Sequence, residues 1–141
     1  FVPYRLSVLT NRVSSAIART YSERFDLTIP EWRVMAVLGG AARLSAGDVA
    51  QRTAMDKVQV SRAIARLVES KRVQRVVDSE DGRVARLSLT AKGRAIYDEI
   101  VPLALGLEDI LLEALSPAER SKLDEIMNKL NTQASLLGAS G

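Results

Sequence analysis

Two short segments with helix-start signals follow each other closely in the middle of the chain, and their spacing constrains the fold more than any other feature. Ser45 is followed three residues later by a carboxylate, and Asp56 three residues later by an amide, which is the pattern of helix N-caps. The two predicted helices run to about Thr53 and about Ser70. Only three or four residues separate them, which is the spacing of a helix-turn-helix.

The flanking segments add four predicted helices and one hairpin. From Tyr4 to Phe25, larger apolar residues recur every three to four positions, which predicts one amphipathic helix. Val73 to Val77 is rich in β-branched residues and Ala85 to Leu89 alternates apolar with polar, so two strands are predicted, joined by the polar segment 78–83. The predicted fold class is therefore mainly α with a small β-hairpin. The remaining helices are predicted after the cap residues Thr28, Thr90 and Ser116. The predicted buried residues of the helix after Thr28 are Trp32, Met35, Ala36 and Leu38.

Composition removes most enzyme chemistry. The 141 residues include no cysteine and no histidine, which excludes disulfides, thiolate or imidazole zinc sites, Cys–His pairs and Ser–His–Asp triads. Carboxylate-only metal sites and Ser–Lys arrangements survive this exclusion, but no spacing suggests either, so no metal and no cofactor are expected. Because no general base with a pKa near neutrality is in view, an enzyme is the least expected function. No apolar run approaches the roughly 18 residues of a membrane span, so a cytoplasmic protein without membrane contact is expected.

Charge is distributed unevenly along the chain. Residues 1–55 hold 7 basic and 4 acidic side chains, residues 56–94 hold 10 and 5, and residues 95–141 hold 3 and 8. The segment charges are therefore +3, +5 and −5, which sum to the net charge of +3. A basic centre beside an acidic C-terminal segment is typical of a protein that meets a polyanion with one face, although scattered surface charge is an equal alternative.

The helix that begins after Asp56 has one apolar and one polar side when residues are placed at 100° intervals. Arginine donates in a fork to guanine, glutamine bonds adenine, and a valine methyl contacts thymine, so the polar side has the chemistry of a major-groove reader. A solvated surface helix is the alternative. The apolar side, expected to pack on the domain, holds Val60, Ile64, Leu67 and Val68. The opposite side holds Val58, Gln59, Arg62, Ala65, Arg66 and Glu69.

Basic residues of the hairpin extend the predicted DNA contacts. Arg83 lies at the tip, two residues after Asp81, whose carboxylate is expected to position it. An arginine at a hairpin tip suits a narrow minor groove, although an exposed Asp81–Arg83 ion pair of little energetic value is the alternative. Arg75 and Arg86 lie on the flanking strands. Further predicted DNA contacts are Ser45 and, for phosphate, Lys57 and Ser61.

These residues resemble a known family. The stretch similar to the wing signature of the multiple-antibiotic-resistance regulator (MarR) family is Asp81-Gly82-Arg83-Val84-Ala85-Arg86-Leu87-Ser88-Leu89-Thr90-Ala91-Lys92-Gly93. Asp56 to Arg62 resembles the start of that family's recognition helix. Leu27-Thr28 with Trp32, and Leu44-Ser45, are similar to its second and third helices. The resemblance covers residues 5–137.

The resemblance implies a winged helix-turn-helix homodimer that binds double-stranded DNA as a transcription regulator, usually a repressor. Residues 1–27 with 91–137 would form a helical dimerisation region, residues 28–90 the DNA-binding lobe, and residues 138–141 a frayed tail. The last two helices also carry more large aliphatic residues than one lobe can cover, which favours a dimer over a monomeric bundle. A small-molecule effector of unknown identity would lower DNA affinity from a pocket between body and lobe. Its candidate walls, which are equally good core residues, are Arg12, Tyr21, Trp32 and Met35.

Three departures from the family pattern limit what carries over. Lys71 stands where the family commonly has Gly after the recognition helix, so either a non-glycine residue in the left-handed conformation or a different turn is expected. Val58 and Gln59 replace the small and hydroxyl residues usual there, which leaves the base preference open. Without Cys or His, the oxidation-sensing and zinc-sensing mechanisms of the family cannot operate. Two other functions remain as alternatives: a winged-helix protein-interaction module and a sequence-blind architectural DNA binder.

Overall fold

The structure is a computed structural model that describes residues 1–41, 43–77, 80, 82 and 84–139. The described part contains six helices and a two-stranded hairpin. No helix in this part is long and apolar enough to cross a membrane. In chain order the elements are α1 (Val2–Phe25), α2 (Ile29–Gly39), α3 (Ala46–Thr53), α4 (Lys57–Glu69), β1 (Val73–Val77), β2 (Ala85–Leu89), α5 (Ala91–Leu112) and α6 (Pro117–Ala139).

Side-chain caps start the helices from α2 to α6, as the sequence predicts. In each case a cap oxygen accepts a hydrogen bond from the backbone N–H three residues later, which satisfies a donor that the helix itself leaves unpaired. The predicted helix-turn-helix is therefore present as α3 and α4. The donor-to-acceptor distances are 3.3 Å from Glu31 to Thr28, 3.1 Å from Asp48 to Ser45, 2.9 Å from Gln59 to Asp56, 3.0 Å from Gly93 to Thr90 and 3.2 Å from Glu119 to Ser116.

Two helix ends differ from the predictions. α1 begins at Val2, because Pro3 fits a first turn, where a missing N–H is not needed. α6 continues to Ala139, so its last turn includes part of the predicted frayed tail. Gly138 does not end the helix because it does not adopt the positive φ that a terminating glycine uses.

The chain divides into two compact units, Phe1–Ala104 and Leu105–Gly141. In α2 of the first unit, the predicted core residues Met35 and Leu38 are buried, whereas Trp32 and Ala36 are only half-buried. Val34, which is not among the predicted core residues, is fully buried, with 0% exposure. The buried positions 31, 34, 35 and 38 follow the i, i+3, i+4, i+7 spacing of one helix face, so the inner stripe of α2 is rotated from the predicted one.

The hairpin pairs antiparallel from Val73 opposite Leu89 to Val77 opposite Ala85, with the predicted strand bounds. Leu44, just before α3, joins its edge: the Leu87 N–H donates to the Leu44 carbonyl at 2.7 Å, and the Leu44 N–H donates back at 3.2 Å. The hairpin is therefore attached to the start of the helix-turn-helix. Of the predicted tip, residues 78, 79, 81 and 83 lie outside the described residues.

The turn after α4 contains a non-glycine residue in the left-handed conformation, which is the first of the two turns that the sequence allowed. Lys71 adopts the left-handed conformation, with a φ of 61°. Its N–H donates to the Val68 carbonyl at 3.0 Å, and the Arg72 N–H donates to the Leu67 carbonyl at 2.8 Å. These two bonds form a Schellman motif, which uses a lysine where glycine is usual.

The second unit consists of the end of α5, a turn and α6. The Arg120 guanidinium donates to the Leu112 carbonyl at 2.8 and 3.1 Å, which joins the two helices across the turn. Among the described residues of this unit, no side chain is buried. Its exposed large apolar residues are Leu105, Ile110, Leu111, Leu123, Ile126, Met127, Leu130, Leu136 and Leu137.

Candidate nucleic-acid interface

α4 has the predicted two-sided character. Its inner side packs into the core through Val60, Ile64 and Leu67, which are at most 2% exposed, with Val68 half-buried beside them. The predicted DNA contacts that belong to α4 all lie on its exposed side. Among them Val58 is 57% exposed although it is apolar, so its methyl groups are available to a ligand. The exposed predicted contacts on α4 are Lys57, Val58, Gln59, Ser61, Arg62 and Arg66.

A concavity of about 310 Å³ lies between α4 and the start of α2. Gln59, Arg62 and Arg66 line it from α4, and Thr28 and Pro30 line it from α2. The positive end of the α2 dipole thus faces the same space as two guanidinium-bearing side chains, while the Glu31 carboxylate also lines the concavity. Neither Thr28 nor Pro30 is among the sequence-predicted contacts. Their cap-and-proline pattern predicts a helix start, but only the fold places that start beside α4.

Glu31 is a buried acid beside this concavity, with 6% of its surface exposed. One carboxylate oxygen accepts a hydrogen bond from the Thr28 hydroxyl at 3.1 Å and lies 3.8 Å from Arg66 Nη1. Buried charges require such partners. The Arg66 side chain is nevertheless 66% exposed, so it contacts both Glu31 and solvent. Sequence reasoning missed Glu31, for which the three-residue spacing from Thr28 was the available signal.

The register of the hairpin separates its two described arginines. Arg75 pairs with Leu87, and the next pair is Val76 with Arg86. Since neighbouring residues of a strand point to opposite faces, Arg75 and Arg86 lie on opposite faces. Arg86 turns toward α3, where its Nη1 lies 3.5 Å from the Asp48 carboxylate. The predicted tip pair, Asp81 and Arg83, lies outside the described residues.

Ser45 and Asp48 cap α3 reciprocally. The Ser45 N–H donates to Asp48 Oδ2 at 3.1 Å, while the Ser45 hydroxyl accepts from the Asp48 N–H. Hydrogen bonding to Ser45, first to its backbone N–H, lowers the pKa of Asp48, and the charges of Arg86 and Arg52 act in the same direction. The cap therefore stays ionised at neutral pH and fixes the start of α3 beside the hairpin.

Known proteins share this arrangement. A sequence model of the MarR family matches residues 25–84, from the end of α1 to the hairpin. A MarR/EmrR family transcriptional regulator from Acinetobacter sp. ADP1 is 27% identical, with 96% of this chain and 95% of that chain covered and a TM-score of 0.88. The chain is therefore similar to MarR-family transcription regulators, in sequence over residues 25–84 and in fold over nearly its whole length.

Two further proteins are also similar to this chain. BpsR of Bordetella bronchiseptica, whose structure concerns the regulation of DNA binding by 6-hydroxynicotinic acid, is 28% identical over 93% of each chain with a TM-score of 0.81. The HTH-type transcriptional regulator FarR of Neisseria gonorrhoeae is 26% identical over 113 residues, which is 73% of this chain and 77% of that protein. The family and the winged-helix fold are those of DNA-binding transcription regulators.

Three of the four predicted effector-pocket residues lie in or against the core. Tyr21 and Met35 are 1% and 0% exposed. Trp32 is half-buried, with ring centroids 5.6 Å from Tyr21 and 6.0 Å from Tyr97. Arg12 is exposed and lines a different groove of about 250 Å³ along α1. Sequence reasoning missed the contact of Tyr97 with Trp32, because only packing brings α5 to α2.

The environment of Tyr21 keeps its hydroxyl protonated. Burial raises the pKa of Tyr21 to about 12, and the nearby positive charge of Arg33 acts in the opposite direction. The Arg33 guanidinium also donates to the Ser14 hydroxyl at 3.1 Å. At neutral pH this corner of the MarR fold therefore carries a phenol donor and a guanidinium beside the aromatic rings.

Proposed function

We propose that this chain is a homodimeric, sequence-specific transcription regulator of the MarR family that acts in the cytoplasm, as a repressor, and that a small molecule relieves its DNA binding. α4 is the recognition helix in a major groove, and the hairpin is the wing in the neighbouring minor groove. The observation that carries the proposal is the sidedness of α4. Its inner side is locked in the core, while Gln59 and Arg62 line one open concavity on its outer side.

The proposed contacts divide by chemistry. Guanidinium and side-chain amide groups form paired hydrogen bonds with base edges, whereas hydroxyl and ammonium groups near the starts of helices bind phosphates. A hairpin that lies in the minor groove turns one face toward each of the two DNA sugar-phosphate backbones. Arginines on opposite faces of the hairpin suit this position. The proposed base contacts are Val58, Gln59, Arg62 and Arg66, the phosphate contacts are Ser45, Lys57 and Ser61, and the wing contacts are Arg75, Arg83 and Arg86, with Asp81 positioning Arg83.

The exposed apolar surface supports a dimer. One recognition helix reads only about 3 to 5 base pairs, so two copies are needed for useful selectivity. The described part of the second unit buries no side chain, and α1 leaves Leu6 and Leu9 48% and 54% exposed. Exposed apolar side chains in such numbers favour burial against a second chain. We therefore assign residues 1–27 and 91–137 to dimerisation and residues 28–90 to DNA binding.

Selection of duplexes from a random pool, followed by binding measurements on variants, tests the DNA contacts. Arg62→Ala and Gln59→Ala should each lose about 1–3 kcal/mol on the selected palindrome and much less on random duplex. Lys57→Ala should weaken both duplexes alike and reduce the salt slope by about 1. Arg19→Ala, which removes an exposed charge on α1, is the matched control and should change neither.

Three results would contradict the proposal in different ways. Equal losses on palindrome and random duplex for Arg62→Ala would remove its role as a base reader. Binding of random duplex weaker than about 10⁻⁴ M at moderate salt would favour a protein-interaction module. Tight binding without any preferred sequence would favour an architectural protein.

The effector is testable through the single tryptophan of the chain, Trp32. Ligand contact with the rings of Tyr21, Trp32 and Tyr97 should change its fluorescence and lower operator affinity by about 5- to 150-fold. The first probe is 6-hydroxynicotinic acid, because BpsR is regulated by it. Met35→Leu reports on the remaining wall in the core, and Arg12→Ala tests whether the separate groove along α1 takes part. A ligand that weakens operator binding without changing Trp32 fluorescence would move the pocket elsewhere.

A further inference from the structure

The first turn of α5 holds the C-terminal end of the recognition helix. A helix leaves its last carbonyls without partners inside the helix. Here the carbonyls of the three residues that follow α4 each accept a hydrogen bond from Lys92 in the first turn of α5 or from its cap residue Thr90. Lys92 Nζ donates to Ser70 at 3.0 Å, the Thr90 hydroxyl to Lys71 at 2.7 Å, and the Thr90 N–H to Arg72 at 3.1 Å. We call these three bonds the clamp.

Both clamp side chains suit the end of a helix. The Thr90 hydroxyl donates to Lys71 and at the same time accepts from the Gly93 N–H at 3.0 Å, so one group caps α5 and binds the end of α4. The Lys92 ammonium lies at the carbonyl end of α4, where the helix dipole is negative. The two helices are therefore joined by directional polar bonds as well as by packing.

Gly93 makes this joint close. A Cβ built on Gly93 would lie 2.0 Å from the Arg72 carbonyl oxygen and 2.9 Å from its carbon. The backbone of α5 thus rests directly on the backbone of the α4–β1 turn, with no side chain between them. A joint without a layer of side chains has little room to rotate while its hydrogen bonds remain intact.

The orientation of this joint has a large effect at a distance. The part of α5 in the first unit, residues 91–104, is about 21 Å long at 1.5 Å per residue. A rotation of about 10° at the clamp would move its far end by about 3.6 Å, close to the roughly 3.4 Å rise of one base pair. α5 is also tied to α2, because Arg94 Nη1 donates to the Gly39 carbonyl at 3.1 Å.

We propose that Thr90 and Lys92 are positioning residues that set the half-site spacing selected by the dimer. The inference rests on the proposed dimeric function, in which α5 connects each recognition helix to the dimer interface. The two residues act through the orientation of α4 and contact no base. Loosening the clamp should therefore widen the range of accepted spacings.

The experiment compares operators that differ only in the distance between half-sites. Affinity is measured for the selected palindrome and for duplexes with one base pair added or removed at the centre, using wild type and Thr90→Val/Lys92→Met. The variant removes the hydroxyl and the ammonium at similar side-chain volume. The ratio of the affinities for native and altered spacing should fall about five-fold or more, as expected for the loss of about 1 kcal/mol of orientation energy. Thr90→Ser/Lys92→Arg keeps both donors and should retain the wild-type ratio.

The ratio separates positioning from simple destabilisation. A variant that is only less stable binds every duplex less well by the same factor, so the ratio stays constant, and that result would overturn the inference. A five-fold fall of the ratio in Thr90→Ser/Lys92→Arg would overturn the inference as well, because this variant keeps both hydrogen-bond donors. If the wild type itself shows no spacing preference, the proposed dimeric function fails together with the inference. A retained preference in Thr90→Val/Lys92→Met refutes the inference alone.

Discussion

Replacing Gly93 with alanine should lower the free energy of unfolding by about 3 kcal/mol. The added Cβ would lie 2.0 Å from the Arg72 oxygen, whereas an ordinary contact begins at 3.4 Å, so the two backbones must separate by 1.4 Å. The Thr90 N–H to Arg72 bond, now 3.1 Å long, cannot survive that displacement, and the other two clamp bonds are lost with it. Three bonds at about 1 kcal/mol each give the expected value.

Chemical and thermal unfolding followed by circular dichroism measure this loss. A change of about 3 kcal/mol should lower Tm by about 10 °C for a chain of this size. Protomer concentration must be equal in all samples, because association stabilises the folded state. Gly106→Ala is the control in the same helix: Gly106 has nothing within 4 Å of a built Cβ, and the substitution should raise stability by up to about 1 kcal/mol. If Gly93→Ala were as stable as wild type while Gly106→Ala behaved as stated, the close approach of α5 to the turn would be refuted.

Three other substitutions test local features of the fold. Lys71→Gly relieves a positive φ and should raise the unfolding free energy by up to about 1 kcal/mol in urea titrations; a decrease would contradict the Schellman assignment. Because the pKa of Asp48 is lowered in the folded state, the stability that its ionised carboxylate contributes is present above the ordinary carboxyl pKa and is lost as pH falls through the folded pKa. Asp48→Asn should therefore lose less unfolding free energy on acidification than wild type. Parallel plots of unfolding free energy against pH for the two proteins would argue against this linkage. Because the pKa of Tyr21 is raised to about 12 in the folded state, the unfolding free energy of wild type should fall as pH rises above 10.0, the pKa of an unperturbed tyrosine. Tyr21→Phe should make this fall smaller. If the unfolding free energy of Tyr21→Phe falls with pH as steeply as that of wild type, Tyr21 is not the titrating group.

Local features of this protein follow from residues close together in the chain. A cap at Ser45 or Asp56 needs only a backbone N–H three residues later, and both caps are present where the sequence predicts them. The sidedness of α4 follows from helical periodicity in the same way. The left-handed turn at Lys71 is one of two solutions that the sequence allowed, and local hydrogen bonding selects it.

Features that join distant segments required the packed structure. Periodicity shows that α2 has an inner face, but the competition of all helices for one core decided that Val34 is inside and Trp32 only half-buried. Likewise, no local pattern indicates that Glu31 meets Arg66. Such contacts depend on the relative positions of elements that are separated by tens of residues, and those positions are set by the burial of apolar surface across the whole unit. The clamp between Thr90 and the end of α4 is of the same kind, because its donors and acceptors meet only after the hairpin has returned the chain to the recognition helix.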